Sequence, residues 1–124
     1  MTVSLLMRRV ALLSVTGLLV VLAGCGSTPK DESANATAER LYKDAKEDME
    51  SGSYERALKT LERVEGLAAG SLMGQQALLE MAWLNWKMGE RAAGLTAIER
   101  FIKLNPSSPA LDYALYLKGV VNFN

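Results

Sequence analysis

From residue 38 onward the apolar positions of this chain fall at helical spacing. Leu41, Ala45 and Met49 recur about one turn apart, and Leu58, Leu61, Val64 and Leu67 follow the same rule. Charged and polar residues fill the positions between them, and no stretch alternates apolar with polar long enough for a strand. The pattern predicts an all-α chain. Gly52 and Gly89 are placed to end helices, where the left-handed backbone that often closes a helix is easiest for glycine. Ser53 and Ser71 are placed as N-caps. Asn105-Pro106 stops a fourth helix, and Ser108-Pro109 is placed to open a fifth with proline in its first turn.

The same positions repeat at a fixed step of 37 residues. Leu41, Leu78 and Leu115 are in step, as are Ala45, Ala82 and Gly119, then Gly52 with Gly89, Leu58 with Leu95, and Leu67 with Leu104. Glu62-Arg63 recurs as Glu99-Arg100, preceded by Leu61 and Ile98. An up-down helical bundle has no need of a constant step, whereas a stack of repeated helical hairpins does. Small residues in step (Ala45, Ala82 and Gly119; Ala57 and Gly94) mark where helices cross closely. Paired helices of this kind resemble the tetratricopeptide repeat, whose usual unit is about 34 residues with a proline after its second helix. Pro106 holds that position in the second unit and Ala69 replaces it in the first. The extra residues of each step belong in the connections. The expected units span residues 37–70, 71–107 and, in part, 108–124, stacked as a short right-handed α-solenoid. Because arrays need about three units to cover their apolar faces, the chain reads as the N-terminal part of a longer protein.

The N-terminus follows a different pattern. Arg8 and Arg9 precede an apolar run, Val10 to Val21, that is broken only by Ser14, Thr16 and Gly17. Leu22-Ala23-Gly24-Cys25 then ends it. This is the three-part build of a secretory signal, too short for the roughly 20 apolar residues of a membrane span. A cysteine directly after the small residues matches a lipobox, with cleavage of residues 1–24 and lipidation of Cys25. Cys25 is also the only cysteine, and lipidation accounts for an odd thiol in an exported protein. More than one acyl chain gives stable anchoring. Residues 25–36 contain no large apolar side chain and are expected to form a flexible tether.

Cleavage changes the charge balance. The chain has 14 basic and 14 acidic residues, and loss of Arg8 and Arg9 leaves 12 basic ones among the remaining 100 residues. A mildly acidic single domain of that size gives no basic face for nucleic acid. Catalysis is poorly supplied. The chain has no histidine, its one thiol is committed to the lipobox, and no phosphate loop or metal-ligand spacing is present. No cofactor is implied. Glu47 and Glu50 read as solvated charge on a polar helix face, as do Glu55, Arg56, Lys59, Glu62 and Arg63 with i,i+4 pairs.

In stacked hairpins the first helices line the concave side. The register assigns to that groove Tyr42, Lys46 and Met49, then Gln76, Leu79, Trp83, Trp86 and Lys87, then Tyr113, Tyr116, Val120 and Phe123. Six of the eight aromatic residues are collected there, with Tyr54 and Phe101 left for packing. Aromatic stripes at helical spacing also arise from a packed core. Here the Leu, Ala and Ile positions supply a core, which leaves the aromatic residues for peptide capture.

Ile98-Glu99-Arg100-Phe101-Ile102-Lys103-Leu104-Asn105-Pro106, followed by Ser107-Ser108-Pro109, carries a more specific likeness. Asp112-Tyr113-Ala114-Leu115-Tyr116-Leu117-Lys118-Gly119 continues it, and Leu41-Tyr42-Lys43-Asp44-Ala45 with Gly52-Ser53-Tyr54 match at the first unit. With the lipobox, the chain resembles the BamD (ComL) family of outer-membrane assembly lipoproteins. The resemblance implies a non-enzymatic part in the machine that folds and inserts β-barrel proteins into the Gram-negative outer membrane. It implies a lipid-anchored protein on the periplasmic face, partnered by the barrel-forming subunit and other lipoproteins. It further implies that the N-terminal repeats engage the aromatic-ended C-terminal strands of unfolded barrels. Gly26, where inner-membrane lipoproteins usually carry Asp, is similar to outer-membrane sorting signals. Family members often carry an Arg-aromatic-Pro-aromatic-Gly segment where this chain has Glu65-Gly66-Leu67-Ala68-Ala69-Gly70-Ser71-Leu72-Met73, so no contact is carried over for it. A different repeat lipoprotein, serving pilus assembly or cell-wall coordination, is the alternative.

Overall fold

Helix-compatible spacing, interrupted only where glycine or proline stands, gives an uninterrupted series of helices. The computed structural model describes residues 29–123, and these form α1 (Pro29–Glu50), α2 (Tyr54–Leu67), α3 (Leu72–Lys87), α4 (Arg91–Leu104) and α5 (Leu111–Phe123). Among the described residues there is no strand. The signal segment and Cys25 lie outside the described residues. Each helix packs against its neighbour in sequence, and α5 also touches α3. The described residues form a stack of helical hairpins, all-α as the periodicity predicts.

Turn chemistry sets the hairpins. Gly52 and Gly89 adopt φ of 78° and 83°, and they close α1 and α3 at equivalent points of the repeat. Ser71 caps α3, its Oγ accepting from the Gly74 N–H at 3.2 Å. Ser53 occupies the N-cap position of α2 but makes no cap bond; its Oγ lies 3.1 Å from Ser51 Oγ instead. The fifth helix starts later than Ser108-Pro109 suggests. Ser108 Oγ accepts from Ala110 N–H at 3.2 Å and donates to Gln75 Oε1 at 2.7 Å, which holds residues 108–110 in a turn before α5.

The first helix is a larger correction. It starts at Pro29, eight residues before the expected boundary at residue 37, so much of the expected tether is helical. Pro29 suits a first helical position, and neither Gly nor Pro follows it until Gly52. A polar segment attached to a packed helix needs no apolar face of its own to continue the turn, because propagation is far less costly than nucleation.

Two apolar clusters share α3. Leu41 and Ala45 from α1 meet Ala57, Leu61 and Val64 from α2 and Ala77 and Leu84 from α3. On the other side, Leu78, Leu79 and Ala82 meet Ile98 and Phe101 from α4 and Ala114, Leu117 and Val121 from α5. A helix covered on two sides must be apolar on two faces, which is why the pattern of α3 is less one-sided than that of α2. The in-step small residues behave as expected where a helix crosses them: Ala45, Ala57, Ala82 and Gly94 are buried. Gly119 is not, since a Cβ there would meet nothing within 4 Å. Leu115 is likewise 51% exposed although Leu41 and Leu78 are buried, because no described helix lies on that side of α5.

The charged outer face pairs differently from the i,i+4 expectation. Arg56 of α2 binds Asp48 of α1, and Arg100 of α4 binds Glu65 of α2 at 3.0 Å. Both bridges join neighbouring helices, because helices packed side by side bring their flanks within reach.

Gly74 shows the tightest approach. A Cβ at this position would lie 2.4 Å from the backbone oxygen of Ala68, whereas one at Gly66 in α2 would meet nothing within 4 Å. Alanine normally favours a helix interior over glycine by up to about 1 kcal/mol. Gly66→Ala should therefore be neutral or slightly stabilising. Gly74→Ala should cost about 1–3 kcal/mol, as overpacking does. Urea denaturation followed by circular dichroism separates the two, and equal effects would remove the close approach.

Candidate functional site

The first helices of successive hairpins lie side by side, and an open groove of about 600 Å³ runs between them. Tyr42, Lys46, Met49 and Glu50 line it from α1, Gln76, Leu79, Glu80 and Trp83 from α3, and Ala110 and Tyr113 from the start of the third unit. The helical rise puts Tyr42, Lys46 and Met49 on one face, at spacings of four and three residues. Gln76, Leu79, Glu80 and Trp83 share a face of α3 for the same reason.

The wall is aromatic but anchored in the core. Trp83 is partly buried against both apolar clusters, and its ring meets Tyr54 edge-on at 5.9 Å between centroids and 82° between planes. Leu79 is buried, and Tyr113 is 47% exposed. The groove therefore has a fixed back wall and one free aromatic lip.

Its polar floor is a three-residue network. Glu80 Oε1 accepts from Tyr42 Oη at 2.9 Å and from Lys46 Nζ at 2.9 Å, tying α1 to α3. Glu80 Oε2 is enclosed and has no hydrogen-bond donor among the described residues. Burial first, then the hydrogen bond to Glu80 and its negative charge, push the Tyr42 phenol up to about 12. Tyr42 is thus a neutral donor at physiological pH.

Tyr42, Met49, Leu79, Trp83 and Tyr113 are brought together as the repeat register expects, along with Lys46 and Gln76. Trp86, Lys87, Tyr116 and Phe123 are not part of the lining, nor is Val120. Trp86 follows Trp83 by three residues and so points roughly 60° away from it; it packs on the cluster around Ile98 and Phe101. Tyr116 is rotated from Tyr113 by the same step, its ring 6.4 Å from that of Tyr113, and is 67% exposed. Phe123 ends α5 and is 92% exposed. Lys87 stands over the two tryptophan rings, its Nζ 5.5 Å from the centroid of Trp83 and 5.7 Å from that of Trp86. At exposed sites such cation–π contacts are worth about 0.5–1 kcal/mol.

Residue patterning missed Glu50, Glu80 and Ala110. Glu80 could have been found, since Gln76, Glu80, Trp83 and Lys87 follow one helical stripe. Glu50 stands one repeat step before Lys87, so the same register pointed to it. Ala110 belongs to the turn before α5, and no periodicity marks it. Among the described residues no group of acidic or sulfur side chains could hold a metal ion, and no helix is long and apolar enough to cross a membrane.

Stacked helical hairpins that present an open groove on their first helices define a helical-repeat protein. Within that class, the chain belongs to the YfiO family of outer-membrane lipoproteins, whose family model matches residues 34–124. It is 37% identical over 121 residues to outer membrane protein assembly factor BamD of Neisseria meningitidis serogroup B, covering 95% of this chain and 45% of that protein. The protein of the same name from Neisseria gonorrhoeae gives the same identity and coverage. That of Vibrio cholerae is 31% identical over 111 residues, covering 88% of this chain and 46% of the relative. The chain thus spans about half the length of the curated relatives it matches.

The Tyr42 shift has a testable sign. Between pH 10 and 12 an unfolded tyrosine loses its proton while folded Tyr42 keeps it. The folded state then binds more protons, so this contribution to stability is complete below about pH 10 and is lost as pH rises to about 12. In an alkaline absorbance titration, Tyr42→Phe should remove a phenol that ionises late. The stability advantage of wild type over Tyr42→Phe should shrink across the same range, and parallel curves would disprove the linkage.

Proposed function

We propose that this chain acts in outer-membrane protein assembly, as a non-enzymatic scaffold and a receptor for the C-terminal strands of unfolded β-barrel proteins. The observation that carries the receptor role is the groove between α1 and α3, walled by Tyr42, Leu79, Trp83 and Tyr113. Its volume of about 600 Å³ falls within the ~300–1,000 Å³ typical of ligand sites. An extended segment ending in an aromatic residue fits such a groove. Leu79 and Trp83 are packed on the core behind them, so little side-chain entropy is lost where they are contacted. Membership of the YfiO family and the name shared by the relatives support the setting.

In this reading Cys25, lipidated after removal of residues 1–24, anchors the protein to the periplasmic face of the outer membrane. Its partners are the barrel-forming subunit and the other lipoproteins of the assembly machine. The helical segment from Pro29 carries the repeats away from the headgroups. Each residue of helix adds about 1.5 Å of rise.

The test uses the chain's own tryptophans, with Cys25→Ser to remove the anchor site. A barrel C-terminal strand peptide ending in Phe should change Trp83 fluorescence saturably, and a scrambled peptide should not. Trp86→Phe should keep the response, because Trp86 does not line the groove. Tyr113→Ala should weaken binding about tenfold, in line with loss of an aromatic anchor, while Tyr116→Ala should leave it nearly unchanged. A folded protein that shows no response to the native peptide would refute the receptor role.

A further inference from the structure

The charges of the groove narrow what it can hold, given the receptor reading above. Three charged side chains line it: Lys46, Glu50 and Glu80. Lys46 is already paired, its Nζ 2.9 Å from Glu80 Oε1. Tyr42 adds a second donor to that same oxygen and is itself neutral. Glu80 Oε2 has no donor, and Glu50 is exposed with no ion pair among the described residues. Lys87 lies outside the lining, over the rings of Trp83 and Trp86. The groove therefore carries one uncompensated negative charge beside an aromatic wall.

A free carboxylate placed between Glu50 and Glu80 would meet like charge on both sides, with the only lining ammonium spent. A cation placed there would meet a carboxylate free to accept its hydrogen bonds. Charge-assisted bonds to a guanidinium or ammonium are the strong class of hydrogen bond. We propose that the groove selects an extended peptide in which an aromatic side chain stands next to a lysine or arginine. The ring lies on the wall of Leu79, Trp83 and Tyr113, and the cation lies against Glu50 with Glu80 behind it. The terminal carboxylate of such a peptide stays outside this part of the groove.

The experiment compares three peptides that end in Phe and differ only in the preceding residue, which is Lys, Gln or Glu. Each is titrated into the Cys25→Ser protein, with anisotropy of a label at the peptide N-terminus as readout. The Lys peptide should bind about fivefold tighter than the Glu peptide at low salt, with Gln between them, as partly exposed charge pairs allow. Raising the salt should shrink the difference. Glu50→Lys should abolish or invert the order. Glu47→Lys makes the same change in net charge on the exposed side of α1, outside the lining, and should keep it.

Equal binding of all three peptides would overturn the selectivity and leave the receptor role standing. Loss of the preference in both lysine variants would assign it to overall charge and overturn the groove assignment. Failure of every peptide to bind a protein shown to be folded would remove the receptor reading and this inference together.

Discussion

The position of α3 governs everything else in this molecule, and it is fixed where Gly74 lies against the Ala68 carbonyl. The chain leaves α2, turns through a short connection and must re-enter a helix that touches both hairpins. A side chain at residue 74 would need space that the backbone of Ala68 already occupies. Ser71 reinforces the same junction, donating to the Ala68 carbonyl at 2.7 Å and accepting from the Gly74 N–H. Once α3 is set, its two apolar faces recruit α2 with α1 on one side and α4 with α5 on the other. The distance between α1 and α3, and so the width of the groove, follows from that placement.

The groove is built from residues that also hold the fold. Trp83 belongs to the packing of both clusters and to the wall. Glu80 links α1 to α3 through Tyr42 and Lys46, and it gives the floor its charge. This sharing has a physical consequence. A wall braced by the core presents its rings without the entropy loss of mobile side chains, and a carboxylate tied by two donors keeps its orientation. Tyr113 is the one aromatic lining residue that is about half exposed.

Much of the fold was legible in the residues because the repeat enforces it. The 37-residue step predicted helical hairpins, the glycine turns at Gly52 and Gly89, and burial of Ala45, Ala57, Ala82 and Gly94. Seven of the twelve residues assigned to the groove line it: Tyr42, Lys46, Met49, Gln76, Leu79, Trp83 and Tyr113. Trp86, Tyr116 and Phe123 share the aromatic character of the lining but lie outside it, because helical angle and not residue type sets direction. From Trp83 and Tyr113, at the edge of the lining stripe, three further residues add roughly 60° of rotation, enough to turn a ring from groove to core or to solvent. Residues 29–36 contain no large apolar side chain and so pattern as tether, yet a helix already anchored by packing extends through such a segment.

By itself, the sequence determined the helical pattern from residue 38 onward, the hairpin repeat and the chemistry available: aromatic rings and carboxylates, with no imidazole. These follow from local rules, namely helical period, turn conformations and side-chain type, and they need no knowledge of neighbours. Only the tertiary structure decided that Gly74 is a contact point and that Glu80 receives Tyr42 and Lys46. Those facts depend on the angle and separation of helices that are distant in the chain. Packing sets both through the shape of many side chains at once, and no periodicity along one helix encodes them.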